Sequence, residues 1–233
     1  MIKTKYILIF IYLILISIFI YNSYHFFEIN TLDGISINEF NQKINKVIKN
    51  KYYYLVIYLF LFCLVWVFML GFISPILLIA GYLISPVYGA LIVSLANALA
   101  GSLLVYLIRK YYLDDIEKFF PKKIDKVIQL INKDTNYYFF IFRFAGGFGI
   151  PSQLQNLIPS VTSIKLLNYF IISFIGCIPV YYISTTIGYS LKFISDLESI
   201  DKNLFTNSKL IISAIALALI IWFIRKLKNK IKI

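Results

Sequence analysis

Acidic residues are scarce in this sequence: 11 Asp and Glu stand against 23 Lys and Arg, a formal net charge of +12, and charged residues of both signs fill only 15% of 233 positions. A water-soluble domain carries about 25% charged and 45–50% apolar residues. A chain that is 60% hydrophobic falls outside that class and reads as an integral membrane protein. Histidine is almost missing, and the one present, His25, has no Cys, Asp or Glu cluster beside it, so neither a metal nor a cofactor is expected. The two cysteines, Cys63 and Cys177, both lie in apolar runs, where a thiol behaves as a small hydrophobe. Catalytic signatures are missing too. Without an HExxH, paired membrane aspartates, a Ser/His constellation or a GxxxxGK[ST] loop, an enzyme and an ATP-driven machine are both disfavoured. The basic excess follows the enrichment of Lys and Arg in cytoplasmic loops, and no nucleic-acid module accompanies it.

What the sequence has in abundance is long uncharged stretches. Residues 6–24 contain no charge and follow Lys3 and Lys5, enough for one helical crossing of about 20 residues. An uncleaved anchor is preferred to a signal sequence, because the run exceeds a signal core and no small-x-small cleavage site follows it. Residues 25–51 are polar, with Ile37, Phe40, Ile44 and Val47 or Ile48 at helical spacing and Lys43, Lys46 and Lys49 elsewhere on the wheel, the pattern of an amphipathic helix lying on the bilayer. From Tyr52 to Ile108 there is no charge at all, a run too long for one crossing and interrupted by Gly71, Pro75, Gly81, Pro86 and Gly89. It divides into a crossing (52–70), a broken or re-entrant hairpin (71–86) and a second crossing (87–108). Ser74 and Ser85 each precede a proline, which disfavours helix at that position, and are expected hinges.

Residues 109–136 hold seven basic and five acidic side chains, with an amphipathic stripe of Ile124, Val127, Ile128 and Ile131, and read as a connection hugging the membrane interface. A second apolar block, 137–191, contains only Arg143 and Lys165 as charges. Gly146, Gly147, Gly149, Pro151 and Pro159 mark a second hairpin near 144–159, and 166–191 reads as a crossing. A last crossing (208–224) precedes a tail with five basic residues and no acid, which places the C-terminus in the cytoplasm. Five crossings then put the N-terminus outside, in tension with Lys3 and Lys5. In this topology the two hairpins enter from opposite sides. Pro75 is followed by Gly101 after 26 residues and Pro151 by Gly176 after 25, the spacing of an inverted repeat. The expected organisation is an anchor and amphipathic connection (1–51), a membrane core (52–191) and a C-terminal helix with its tail (192–233). The expected fold is all-α, transmembrane helices plus two re-entrant helical hairpins.

Pro75, Gly81 in LLIAGYL, Gly89, Gly101 and Arg109 in LVYLIRKYY resemble the first half of the DedA-like, VTT-domain superfamily, also called SNARE-associated Golgi proteins. Arg143, Pro151, Asn156, Thr162, Gly176 and Pro179 resemble the second half's arginine, proline, asparagine, threonine and glycine-x-x-proline series. The similarity covers roughly residues 52–191. This sequence departs from the pattern in two ways: Arg143 and Pro151 lie about two residues further apart than is usual, and the acids of the DedA branch near the first hairpin are missing. The resemblance implies facing re-entrant hairpins and the movement of lipids, such as phospholipids or polyprenyl phosphates, between leaflets. The candidate substrate contacts are Arg143, Pro151, Gln153 and Asn156, and the candidate hairpin and packing residues are Pro75, Gly81, Gly89, Gly101, Gly176 and Pro179.

On the residues themselves, Arg143 is the main candidate. An arginine inside a membrane segment costs about 2.5–3.5 kcal/mol on insertion scales and usually faces a cavity, and its fork of donors suits a phosphate. The competing reading is a side chain near the interface that snorkels to water, given Asp134 nine residues earlier. Gln153, Gln155 and Asn156 can either line a headgroup path or satisfy broken backbone. Asn97 reads as helix glue and Arg109 as an interfacial anchor among Lys110, Tyr111 and Tyr112. With no carboxylate or histidine in the apolar blocks, transport is expected to equilibrate lipids without proton coupling. Membrane lipids, anionic or phosphate-bearing, are the expected partners, with a second copy of the chain possible, and the plasma membrane the expected location. An ion or small-solute channel and a non-transporting assembly protein are the alternatives.

Overall fold

The computed structural model describes residues 37–120 and 122–193, together with Ser17 and Trp222. The expected crossings at 6–24 and 208–224, His25 and the basic tail lie outside the described residues. The chain divides into two compact units, residues 1–52 and 53–233. Among the described residues there are helices and tight helical turns and no strand.

Helix α1 (Ile37–Phe68) contains one residue with non-helical dihedrals, Lys51, which separates its amphipathic start from its apolar remainder. In the first unit Ile44 and Ile48 are half-buried while Asn45, Lys46 and Lys49 are exposed, as the spacing of apolar residues predicts. The apolar stretch Ile48–Phe68 is long enough to cross a bilayer, and so are α3 (Pro86–Tyr111) and, later, α8 (Leu166–Ser190). In the second unit Leu55, Leu59, Cys63 and Val67 form one buried stripe at four-residue spacing, and the Cys63 thiol points at the Val93 carbonyl of α3 at 3.9 Å.

Between the first two long helices the expected hairpin is a single short helix, α2 (Ile73–Leu83). The break that precedes it lies at Leu70, whose φ of 57° is left-handed, and Gly71, where any side chain would run into the Trp66 indole; Trp66 closes the turn by donating from Nε1 to the Phe72 carbonyl at 2.8 Å. Ser85 is a hinge as expected: it is fully extended, caps α3 by accepting from Tyr88 N–H at 3.3 Å, and is followed by proline at the first helical position. Ser74 is not a hinge. It and Pro75 sit in the first turn of α2, where backbone N–H groups have no intrahelical acceptor and a proline removes nothing.

The helices α4 (Leu113–Phe119), α5 (Lys122–Lys133) and α6 (Thr135–Phe144) follow. α5 corrects a second expectation. Its stripe of Ile124, Val127 and Ile131 is buried in one cluster with Val105, Phe139, Phe142, Ile158, Ile164 and Tyr169, with Ile128 packed against it, so the apolar face covers protein rather than lying on the membrane interface. α6 starts at Asp134, whose carboxylate accepts from Tyr137 N–H at 3.2 Å. A tight turn (Gly146–Gly149), helix α7 (Ser152–Leu157), a second turn (Ile158–Val161), α8 and a last turn (Leu191–Phe193) follow.

α8 is the central element, packing against α2, α3 and α6. The face of α3 toward the interior is built of small residues, among them Gly89, Ala90, Ser94, Ala96, Ala98, Ala100 and Gly101. In lipid, helix association rests on close van der Waals fit rather than on a hydrophobic driving force, and small residues permit that approach. Ser94 uses it to donate to the Phe174 carbonyl of α8 at 2.6 Å. Pro179 is accommodated within continuous α8. The outward faces carry Leu99, Leu103 and Tyr106 on α3 and Ile171, Ile175 and Ile187 on α8, a surface suited to lipid.

Candidate functional site

Arg143 sits in the last turn of α6, where a cation is favoured by the exposed carbonyl end of the helix. The helix stops there because four consecutive residues, Gly146 (φ 69°), Gly147 (76°), Phe148 (55°) and Gly149 (81°), take the left-handed conformation. Glycine adopts it freely, whereas Phe148 pays about 1 kcal/mol or more, offset by its ring packing edge-on against Phe142 at 5.8 Å. The turn is held from the other side by Gln155, which donates from Nε2 to the carbonyls of Gly146 (3.0 Å) and Ile150 (2.7 Å). A methyl on Gly147 would collide with that amide. Gly147→Ala is therefore expected to destabilise the protein by about 1–2 kcal/mol through φ strain and the lost Gln155 clamp. Thermal unfolding in detergent checks it; an unchanged midpoint would show that the turn does not depend on glycine.

Arg143 is 2% exposed, so its side chain does not snorkel to water. Its Nη2 donates to Asn156 Oδ1 at 2.7 Å and to the Tyr169 hydroxyl at 2.9 Å. Tyr169 in turn donates to Asn156 Oδ1 at 3.4 Å, and Asn156 Nδ2 donates to Asn97 Oδ1 at 3.1 Å. Asn97 Nδ2 faces the Cys177 thiol at 4.0 Å. Four helices thus converge: α6 supplies Arg143, α7 Asn156, α3 Asn97, and α8 Tyr169 and Cys177. The guanidinium carbon also lies 5.2 Å from the Phe139 ring centre and 5.5 Å from that of Tyr169, a cation–π environment that offsets part of the desolvation. Among the described residues no carboxylate is buried, so the cation is balanced by dipoles and ring faces alone. Among the described residues its Nε has no hydrogen-bond partner, and neither has Gln153 Oε1.

The other candidates are distributed as follows. Asn156 is buried in the network, Gln153 is half-buried, and Pro151 is exposed at the start of α7. Gly101 and Gly176 frame the network: a side chain on Gly101 would strike the Tyr169 hydroxyl, and one on Gly176 would press on Arg143 Cβ at 2.9 Å. Gly81 and Gly89 lie against the backbones of Thr185 and Ala80, and Pro75 is exposed at the start of α2. Among the described residues, no three His, Cys, Asp or Glu side chains gather as a metal site would require.

One participant escaped sequence reasoning and two others were read without their partners. Tyr169 is one of 19 tyrosines, yet it begins a stripe of Ser173, Gly176 and Cys177 on one face of an otherwise apolar helix, and such a polar stripe signals a face turned toward protein. Asn97 was legible as glue, without its partners. Arg109 is not merely an interfacial anchor: it is half-buried and donates to three carbonyls of the segment after α7, Pro159 and Thr162 at 2.8 Å and Ser160 at 3.3 Å.

No curated protein and no solved structure matches the chain. A family model does, over residues 72–190, from just before α2 to the end of α8, and with three helices long and apolar enough to span a bilayer, the chain is an integral membrane protein that belongs to the VTT-domain family.

Proposed function

We propose that this protein moves lipids between the leaflets of a membrane, taking phosphate-bearing headgroups past Arg143 while the acyl chains stay in the bilayer. The observation that carries the reading is a buried guanidinium with an unpartnered Nε and no buried carboxylate among the described residues. Such a group is costly at membrane depth, by several kcal/mol when unpaired, and an arriving phosphate supplies the missing charge and acceptor together. Asn156, Gln153 and Pro151, on or beside α7, are the accompanying contacts. In this reading α2 and the 144–159 segment are re-entrant elements entering from opposite leaflets, each followed by a full crossing, α3 and α8, in an inverted repeat. Non-helical backbone at that depth is tolerated where protein buries it or water reaches it, which fits a path that hydrates as it opens. The C-terminus is assigned to the cytoplasm of a cell whose plasma membrane houses the protein.

The test is reconstitution into vesicles with fluorescent phosphatidylcholine, phosphatidylglycerol and a polyprenyl phosphate, following exposure of each to an impermeant quencher. Transbilayer movement of the phosphate-bearing probes above protein-free vesicles is expected. Ion flux without lipid movement would replace the reading with a channel. Because neither apolar block contains a carboxylate or histidine to carry a proton, an imposed pH gradient is expected to leave the lipid rate unchanged. Strong stimulation by the gradient would overturn the uncoupled mechanism while leaving lipid movement itself intact.

A further inference from the structure

Helix α3 holds the broken segment at two places. Asn97 accepts from Asn156, and twelve residues later, about 18 Å along the helix axis, Arg109 gathers the carbonyls of Pro159, Ser160 and Thr162. Those carbonyls sit where the turn after α7 ends, and Arg109 adds a charged donor to each of them. Pro159 also accepts from Thr162 Oγ1 at 3.1 Å, and Ser160 Oγ closes onto the Leu157 carbonyl at 2.6 Å, so the guanidinium caps an already folded knot rather than a loose loop. The guanidinium holds them from two nitrogens fixed in one plane, Nη2 for Pro159 and Thr162 and Nε for Ser160; an ammonium also has three donors, but on a single atom that cannot occupy both positions.

We propose that Arg109 is a positioning residue that clamps the Ile158–Val161 turn to α3 and thereby sets where α7 presents Asn156 to Arg143. The clamp rests on the transport reading for its consequence, but not for its existence. An interfacial anchor needs only a cation, so lysine would serve as well as arginine. A clamp of this geometry does not survive that exchange. The proposal therefore predicts that Arg109→Lys behaves like Arg109→Gln, not like the native chain.

The experiment pairs two readouts in the full-length protein. Lipid movement is measured in vesicles for native protein, Arg109→Lys and Arg109→Gln. In parallel, Ser152→Cys at the start of α7 reports release of the segment through its rate of reaction with N-ethylmaleimide; the native thiols Cys63 and Cys177 are buried and give the background. Both Arg109 variants are expected to slow lipid movement and to speed Ser152→Cys labelling by about ten-fold, the scale of losing one or two charge-assisted hydrogen bonds. Native-like flux and labelling in Arg109→Lys would overturn the clamp and return Arg109 to an anchor. If the native protein moves no lipid, the transport reading falls and labelling alone decides the clamp. Should Arg109→Gln fail to fold, Arg109→Lys keeps the comparison decisive, since it preserves the charge.

Discussion

Arg143→Ala is expected to reduce lipid movement about a hundred-fold while the protein is still made and inserted. The substitution removes two charge-assisted hydrogen bonds and the group that a phosphate would meet; a barrier raised by about 2.7 kcal/mol gives a hundred-fold loss. Folding should suffer less, because the groups left behind can pair without the arginine. Tyr169 already donates to Asn156 Oδ1 and Asn156 to Asn97, so their polar atoms keep partners when the guanidinium is gone. Alanine also relieves the structure of a buried cation that has no carboxylate beside it among the described residues. Transport and stability therefore separate. Arg143→Lys refines the test: the charge remains and one ammonium can still donate to Asn156 and Tyr169, both of which Nη2 serves, but the open Nε that a phosphate would meet is lost, so flux is expected to stay below native. Initial rates in vesicles, normalised to inserted protein, are the measurement. Native flux in Arg143→Ala would remove the headgroup role, and a variant that cannot be extracted as a monodisperse species would make Arg143 a folding residue instead.

Much of this was legible in the chain because a membrane limits the options. Charge-free runs of the right length had to be helices, and a proline preceded by Ser85 had to mark a boundary, since the residue before a proline resists the helical conformation. The same rule misled at Ser74, because a proline in the first turn of a helix forfeits no hydrogen bond and ends nothing. The stripe on α5 was read correctly as a stripe and wrongly as a membrane contact: periodicity tells which face is apolar, never what covers it. Arg143 stood out because one charge in a long apolar run is conspicuous. Its partners were not conspicuous. Asn97 lies 59 residues from Asn156 and Arg109 about 50 from the carbonyls it holds, contacts that only the packed helices create. The left-handed run at 146–149 was signalled by three glycines, but Phe148 within it was not, because its backbone strain is offset by a ring contact across the fold.

Gly188→Leu is expected to be the most destabilising single change in the described helices, by about 3 kcal/mol or more, the upper range for overpacking a tight contact. The reason is what the new side chain would meet. At the crossing of α2 and α8, a side chain on Gly188 runs into the Leu78 carbonyl, and one on Gly81 into the Thr185 carbonyl. The contact is reciprocal, each glycine lying three residues from the backbone group its partner touches. A colliding side chain elsewhere could change rotamer, but a carbonyl in the middle of a helix cannot move without breaking its own ladder. The helices must separate. Separation loosens the packing of α2, whose buried residues are Ile73, Ile76, Leu77, Ala80, Gly81 and Leu83. Ile187→Ala, one residue away and facing outward at 44% exposure, is the control and should be close to native. Thermal unfolding of detergent-purified variants measures both, with a drop of roughly 6–12 °C expected for Gly188→Leu at about 2–4 °C per kcal/mol for a chain of this size. Equal midpoints for the two variants would mean that α2 and α8 do not touch as described. Because α2 leads into the hinge at Ser85 and so into α3, the loss should extend to transport even though Gly188 touches none of the residues around Arg143, with flux falling in step with the fraction of folded protein rather than beyond it.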